Sequence, residues 1–233
     1  MKEHPIIFGT ESVRAILDGR KTQTRRVLKP QPSRRFDRVC PIYGDPKTVQ
    51  IALDFYNSQN RLDHAYLRRI FPYGKPGDRL WVRETWMPDA PQDATWADVE
   101  FYGCERAPLG WIPEHYRKSE YCLYRADYQN GVLIGWRPSV FMPRWASRIT
   151  LEITSVTIER LQSISQADAA AEGWPGGDMA RKTIEALNDS ASGLQAVEWY
   201  IRLWDTINAK RGYAWETNPW VWVMAFKVVE VGG

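Results

Sequence analysis

The chain lacks long apolar runs and has few residues of the types that bind metals or form disulfides. No stretch is apolar over the ~20 residues that a membrane-spanning helix needs, and the start Met1–Pro5 leads directly into strand-like sequence without a secretory leader. We therefore expect a cytoplasmic protein that does not bind membranes. Three Cys and three His are dispersed among 233 residues, and none has the paired spacing of zinc ligands. The sequence thus predicts no metal site, no cofactor and no disulfide framework.

The positive charge of the chain is concentrated in one segment. The formal net charge is only +3, but residues 20–38 contain eight Lys or Arg residues and one Asp. A basic patch on a nearly neutral body is typical of a phosphate-facing site rather than of a general nucleic-acid coat. Twelve Trp is far above ordinary usage; core packing explains most of them, and one or two are candidates for stacking on a base.

The segment 19–26, Gly-Arg-Lys-Thr-Gln-Thr-Arg-Arg, puts four cations and two hydroxyl groups into eight residues. Repulsion between like charges favours the neutral form of a lysine, which is the form that accepts a proton. The three neighbouring arginines are therefore expected to lower the pKa of Lys21 and make it a usable base. The alternative interpretation is a basic turn that binds phosphates or only water. Because Lys21 and Thr24 are three residues apart, they can act together only if the segment is not a flat strand.

Local periodicity predicts an α+β domain. Apolar runs predict strands at residues 5–8, 79–86, 121–126, 148–161 and 220–231, and apolar faces predict helices at 11–18, 166–172 and 194–208. The last strand is almost continuously apolar, so we expect it to be buried on both faces. Strands of this kind that close on themselves make a small barrel. The chain is predicted to be one domain, residues 1–233, with insertions at about 29–70 and 87–120.

Two carboxylates and one loop are further candidates for a site. Glu84 shares a strand face with the apolar Val82, so it is either the buried partner of an arginine, which we favour, or a site carboxylate. Glu172 ends a short helix that Ser165 caps, where the helix dipole raises a carboxyl pKa. It is either a proton donor or an exposed helix-end residue. The loop 136–147 mixes aromatic, Arg and Pro residues, and is either a wall for a planar, phosphate-bearing ligand or a Pro-braced structural loop.

Several motifs together resemble the ASCH domain family. They are Gly-Arg-Lys-Thr-Gln-Thr-Arg-Arg at 19–26, Lys-Pro-Gly-Asp-Arg-Leu at 75–80, Ala-Ser-Arg-Ile-Thr-Leu-Glu-Ile-Thr at 146–154, Ala-Glu-Gly-Trp at 171–174 and Asn-Pro-Trp-Val-Trp-Val at 218–223. The Trp-rich ending and the loop 136–147 resemble the larger phage and prophage members. The resemblance implies a PUA-like β-barrel with a cleft at its mouth, flanking helices and the two insertions.

Small members of this family are amidohydrolases that remove acyl groups from N(4)-acetylcytidine with a Lys, a Thr and a Glu. The resemblance implies these roles for Lys21 and Thr24 and, by context, for Glu172. The hydroxyl of Thr24 attacks the acyl carbonyl, Lys21 accepts its proton and Glu172 protonates the leaving amine, so that no metal is required. The expected substrate-binding residues are Arg20, Thr22, Arg25, Arg26, Glu84, Trp136, Arg137, Ser139 and Arg144.

The resemblance leaves two other functions open. Members of the PUA-like superfamily bind RNA or modified bases, and some ASCH proteins are ribonucleases. The expected partner is therefore a small nucleoside substrate or an RNA. Hydrolysis of a nucleoside predicts turnover that depends on one Lys and one Thr. Binding without reaction predicts an affinity that falls steeply with salt and depends on several arginines.

Overall fold

A computed structural model of the chain describes residues 1–29, 31, 40–43, 71–89, 108–128, 135–176 and 190–232. These residues form a mixed α+β fold. Most of the insertion expected at 29–70 lies outside the described residues, as do residues 90–107 of the second one. Within the described part of the chain, no helix has the length and apolar character that crossing a membrane requires.

The fold contains one main sheet and one small sheet. The strands are β1 (Glu3–Ile7), β2 (Gln23–Val27), β3 (Cys40–Tyr43), β4 (Arg79–Arg83), β5 (Trp86–Pro88), β6 (Cys122–Tyr124), β7 (Ile149–Arg160) and β8 (Trp220–Val231). The main sheet has the order β1-β4-β7-β8-β2, and β3 also pairs with β7. Strands β1 and β4 are parallel, whereas the other pairs in this sheet are antiparallel. Strands β5 and β6 form the small antiparallel sheet.

The helices are α1 (Thr10–Leu17), α2 (Gln166–Ala171) and α3 (Ser190–Asn208). Helix α2 begins with a capping box, as the sequence predicts from Ser165. The Ser165 hydroxyl accepts a hydrogen bond from the Asp168 amide, and the Asp168 carboxylate accepts one from the Ser165 amide. Helix α2 ends at Ala171, Glu172 is its C-cap residue, and Gly173 has a φ of 104°. Glu172 therefore lies where the chain leaves the helix.

The first half of β8 is buried on both faces. Trp220, Trp222 and Met224 belong to the core of the main sheet, whereas Val221 and Val223 pack with residues of α2 and α3. This alternation explains the nearly continuous apolar sequence. Residues 227–231 are exposed, so the expectation of burial on both faces is wrong for the second half of the strand.

The main sheet has a gap between β1 and β2. No strand pairing joins these two strands within the residues that the structure describes, so the closure expected of a barrel is not observed there. A side chain crosses the gap instead, because Nη2 of Arg26 donates a hydrogen bond to the carbonyl oxygen of Ile7 over 2.7 Å. The candidate site lies at this gap.

Candidate functional site

A cavity of about 290 Å³ lies between the gap in the sheet and helix α3, at the lower end of the size range of small-ligand sites. Its walls come from the end of β1, from β2, from the end of α2 and from the C-terminal half of α3. Among its lining residues are Phe8, Ser12, Lys21, Thr24, Arg25, Arg26, Lys29, Tyr73, Glu172, Tyr200, Leu203, Trp204, Arg211 and Tyr213.

Lys21 and Glu172 form a buried ion pair in the wall of this cavity. Nζ of Lys21 lies 2.7 Å from Oε2 of Glu172, and it also donates a hydrogen bond to the Glu172 carbonyl oxygen over 2.8 Å. The backbones of the two residues form an isolated antiparallel bridge. Each residue is only 4% exposed, so water screens this interaction far less than that of a surface pair.

The segment before β2 is held between the ends of α1 and α2. The Lys21 amide donates a hydrogen bond to the Ala15 carbonyl over 2.8 Å, and the Thr22 amide donates one to the Ala171 carbonyl over 2.9 Å. The backbone segments at Ala15, Lys21 and Gly173 are close together. A Cβ atom at Gly173 would lie 2.9 Å from Cβ of Ala15 and 3.2 Å from Cβ of Lys21. A glycine is therefore needed beside Glu172 for the backbone bridge to form.

Arg25 is the second cation that contacts Glu172. Its Nη1 donates a hydrogen bond to Oε1 of Glu172 over 3.3 Å, whereas its Nε and Nη2 donate to Oε1 of Glu159 over 2.9 and 2.5 Å. Asp168 lies 3.4 Å from the same guanidinium. Burial disfavours the charge of Arg25, but the surrounding carboxylates outweigh burial and raise its pKa. The Glu172 carboxylate is thus held between Lys21 and Arg25.

Burial lowers the pKa of Lys21, because an ammonium group that is removed from water loses its hydration. The carboxylate of Glu172 acts in the opposite direction, and Arg26 and Arg25 contribute further to the lowering. The direction of the shift agrees with the sequence-based expectation. Its main cause differs, because desolvation rather than guanidinium repulsion dominates.

Thr24 lines the same cavity as the ion pair and is 4% exposed. Lys21 lies before the first residue of β2, so the alternation of side chains along a strand does not force it away from Thr24. No side-chain hydrogen bond joins the Thr24 hydroxyl to another residue in the described part of the chain. The structure therefore brings Lys21, Thr24 and Glu172 to one cavity, with a hydroxyl that is available to a ligand.

Arg20 lies outside this cavity and Thr22 is exposed. Arg20 lines a smaller cavity of about 180 Å³, which shares Ser12, Glu172 and Leu203 with the first one. Its guanidinium is paired with Asp18 at 2.8 Å. The carbonyl oxygen of Thr22 accepts a hydrogen bond from the Phe226 amide, so this residue helps to anchor the segment to β8.

Glu84 does not line the cavity of Lys21 and Glu172. It is 1% exposed, and its Oε1 accepts a hydrogen bond from Nε of Arg148 over 3.0 Å. Arg148 also contacts Asp127 at 2.8 Å. Burial raises the pKa of Glu84, and Arg148 opposes this effect. The buried ion pair that the sequence favours for Glu84 is thus present, with Arg148 as the arginine.

The candidates in the loop 136–147 also lie away from this cavity. They are Trp136, Arg137, Ser139 and Arg144. The backbone of Arg137 pairs with Trp86 of β5, and Arg144 forms an ion pair with Glu3 at 2.9 Å. Met142 and Ala146 of the loop belong to the apolar cluster of the small sheet. These contacts are those of a structural loop.

Sequence-based reasoning missed the residues that α3 and the turn after it contribute to the cavity. They are Tyr200, Leu203, Trp204, Ile207, Asn208, Arg211 and Tyr213. Helix α3 was expected, and the aromatic residues Tyr200 and Trp204 are spaced for one helix face. Which sheet strands that face covers depends on the tertiary fold, so the periodicity alone could not indicate a site.

The cavity combines a cation of lowered pKa, a carboxylate and a hydroxyl, a set of groups suited to proton transfer. Among the described residues, no three His, Cys, Asp or Glu side chains are grouped as ligands for a metal ion. Comparison with known proteins found no matching family model, curated protein or solved structure.

Proposed function

We propose that this protein is an amidohydrolase that removes the acyl group from N(4)-acylated cytosine nucleosides such as N(4)-acetylcytidine. The observation that carries the proposal is the buried pair of Lys21 and Glu172, 2.7 Å apart, in a cavity that Thr24 also lines. Removing two charges from water costs several kcal/mol per ion. Groups with strongly perturbed pKa values are concentrated at sites that transfer protons.

The ion pair of Lys21 and Glu172 can supply both the base and the acid of the reaction. Transfer of one proton from Nζ of Lys21 to Glu172 leaves a neutral amine and a neutral carboxylic acid. The burial that lowers the pKa of Lys21 reduces the free-energy cost of this transfer. The amine is then a base and the carboxylic acid is a proton donor.

In the acylation half-reaction, Lys21 accepts one proton and Glu172 donates one. Oγ1 of Thr24 bonds to the acyl carbon as its proton passes to Lys21. The bond between the acyl carbon and N4 of cytosine then breaks, and Glu172 gives its proton to N4. The charged pair is restored, cytidine leaves and the acyl group remains on Thr24 as an ester.

Deacylation repeats the same transfers with water. Water attacks the ester carbon and gives a proton to the neutral amine of Lys21, while Glu172 protonates the departing Oγ1 of Thr24. The products are the free carboxylic acid and the original hydroxyl, with the ion pair charged again. In both half-reactions, Lys21, Thr24 and Glu172 are the protein groups that react.

The proposal includes membership of the ASCH family and a PUA-like fold. Four of the five motifs that resemble the family lie at strands of the main sheet: 19–26 at β2, 75–80 at β4, 146–154 at β7 and 218–223 at β8. The fifth, 171–174, contains Glu172. This convergence of the motifs on the sheet and the site supports the assignment.

Incubation of purified protein with N(4)-acetylcytidine is the direct test, with release of cytidine followed by chromatography. Thr24→Val removes the nucleophile and is expected to abolish turnover, whereas Thr24→Ser keeps a hydroxyl and retains activity. Lys21→Met is expected to lower the rate by a factor of at least ~10². The control is Thr154→Val, at an exposed position of β7, which should react like the wild type.

Absence of cytidine release by the wild-type protein would refute the proposed activity. Wild-type turnover by Lys21→Met would refute the mechanism, since the base would be dispensable. An RNA gel run beside the nucleoside assay, without added metal, tests the alternative of a ribonuclease.

A further inference from the structure

Three cations that line the cavity have no carboxylate partner in the described part of the chain. They are Arg26, Lys29 and Arg211. The other two lining cations, Lys21 and Arg25, are both paired with Glu172. Glu172 is also the only carboxylate among the described residues that line this cavity. The cavity thus has an excess of positive charge that its own walls do not neutralise.

The three cations without a carboxylate partner are less buried than the proposed catalytic residues of the cavity. Lys21, Glu172 and Thr24 are buried, Arg26 is half-buried, and Lys29 and Arg211 are exposed. The guanidinium of Arg26 lies 5.2 Å from the ring centre of Phe8, and its buried Nε has no hydrogen-bond partner among the described residues. Burial therefore decreases from the proposed reaction centre to a cationic mouth.

Aromatic rings lie beside two of these three cations, Arg26 and Lys29. Nζ of Lys29 lies 5.4 Å from the ring centre of Tyr213, a residue that also lines the cavity. A cation over an aromatic face keeps its charge and still attracts an anion. Nη2 of Arg26 is already bonded to the Ile7 carbonyl, so this residue would contact an anion through its other nitrogen atoms. Like charges around one opening repel each other unless an anion lies between them. The mouth is consequently built to receive a negatively charged group.

We propose that the substrate is a nucleotide, an N(4)-acylated cytidine 5′-monophosphate, whose phosphate binds Arg26, Lys29 and Arg211. This inference rests on the proposed function for the orientation of the ligand. The acyl group must reach Thr24 and the buried ion pair, so the base enters first and the 5′ end of the ribose remains at the mouth. A phosphate there carries ~1.5 to 2 negative charges and accepts the forked hydrogen bonds of arginine.

A single nucleotide fits the site better than a polynucleotide. Single-stranded nucleic acids bind along grooves in which cations follow the backbone and several bases stack in succession. Here the three cations line one cavity, and its volume of about 290 Å³ suits one small ligand.

The kinetic test compares kcat/KM for N(4)-acetylcytidine and for its 5′-monophosphate. The wild-type protein is expected to prefer the monophosphate by at least about tenfold, and Arg211→Gln is expected to reduce this preference about tenfold, because a charged hydrogen bond to phosphate is lost. Lys210→Gln is the matched control, since Lys210 is exposed in the same turn but does not line the cavity. It should keep the wild-type preference.

A binding measurement separates this inference from the proposed function. Calorimetry with cytidine 5′-monophosphate and with cytidine, neither of which can be deacylated, should show tighter binding of the monophosphate. The difference should shrink as salt concentration rises and should shrink in Arg211→Gln. If this pattern appears while neither acylated compound is hydrolysed, the phosphate site stands and the proposed activity fails.

Equal affinity for cytidine and its monophosphate would overturn the inference, as would a preference that Arg211→Gln leaves unchanged. A short oligoribonucleotide that binds more tightly than cytidine 5′-monophosphate, and that loses affinity in Arg211→Gln, would overturn the mononucleotide assignment in favour of RNA. Thermal denaturation of each variant confirms that it is folded.

Discussion

Lys21 and Glu172 are 151 residues apart in the sequence, yet Nζ of one lies 2.7 Å from a carboxylate oxygen of the other. Their backbones are bridged as well, and Arg25 holds the second carboxylate oxygen. Because both side chains are buried, the Lys21 ammonium depends on Glu172 for compensation of its charge, whereas Glu172 is compensated by both Lys21 and Arg25. The stability of the fold and the proposed chemistry therefore involve the same pair.

Removal of one member of this pair is expected to destabilise the fold strongly. Glu172→Gln leaves the Lys21 ammonium buried without its counter-charge, which costs about 3–5 kcal/mol. The double variant Lys21→Met/Glu172→Gln removes both charges and should recover part of that loss, without recovering hydrolysis. Urea denaturation measures the free energies of unfolding.

Glu11→Gln is the control for this comparison. It removes the exposed partner of Arg14, at 2.7 Å, and should cost no more than ~1 kcal/mol. If Glu172→Gln is as stable as Glu11→Gln, the buried Lys21 ammonium does not need the charge of Glu172.

The contribution of Lys21 to stability is expected to increase with pH in the alkaline range. Burial lowers the pKa of Lys21 in the folded protein, whereas the pKa in the unfolded chain is about 10.4. Between these two pKa values, the unfolded chain carries a proton that the folded protein lacks. Unfolding then takes up a proton and becomes less favourable as the pH rises. Below the lowered pKa both states are protonated, so this dependence disappears.

Chemical denaturation of the wild type and of Lys21→Met at a series of pH values tests this sign. The free energy of unfolding of the wild type, minus that of the variant, should increase with pH. Burial raises the pKa of the Cys122 thiol to about 12, which lowers stability at high pH, but this effect is common to both proteins and cancels in the difference. A difference that is constant or falls with pH would contradict the lowered pKa.

Gly173→Ala is expected to destabilise the protein more than Gly212→Ala does. Both glycines have positive φ, 104° and 83°, so each substitution introduces backbone strain of about 1–3 kcal/mol. Only at Gly173 would the new Cβ also meet Ala15 and Lys21, at 2.9 and 3.2 Å, whereas nothing lies within 4 Å at Gly212. Crowding of this kind adds about 1–3 kcal/mol. If both variants lose the same free energy of unfolding in urea denaturation, the backbone at Gly173 can move away from Ala15 and Lys21 without cost.

Elements with strong local signals could be predicted from the sequence. Alternating apolar residues predicted a strand at 148–161, and β7 spans Ile149–Arg160. Ser165 and Gly173 predict a short helix at 166–172, and α2 spans Gln166–Ala171 with Glu172 as its C-cap. The burial of β8 could be predicted only in part, because α2 and α3 pack against its first half and its apolar residues continue beyond them.

The environment of the candidate site depended on contacts between distant parts of the chain. Lys21 and Thr24 are predicted from one local motif. Arg25 contributes to the lowered pKa of Lys21, as the motif predicts, but it also donates its shortest hydrogen bonds to Glu159, 134 residues away, which the motif could not indicate. The loop 136–147 has the composition of a ligand wall, yet it packs with the small sheet. Composition indicates which groups are available, whereas only the tertiary fold decides which of them meet.

Glu172 forms part of the wall of two cavities, the one that contains Thr24 and the smaller one that contains Arg20. The smaller cavity is also lined by Glu11, whose side chain is exposed, whereas the Glu172 side chain is buried. Glu172 therefore separates two cavities, and a substitution at this one position changes the lining of both.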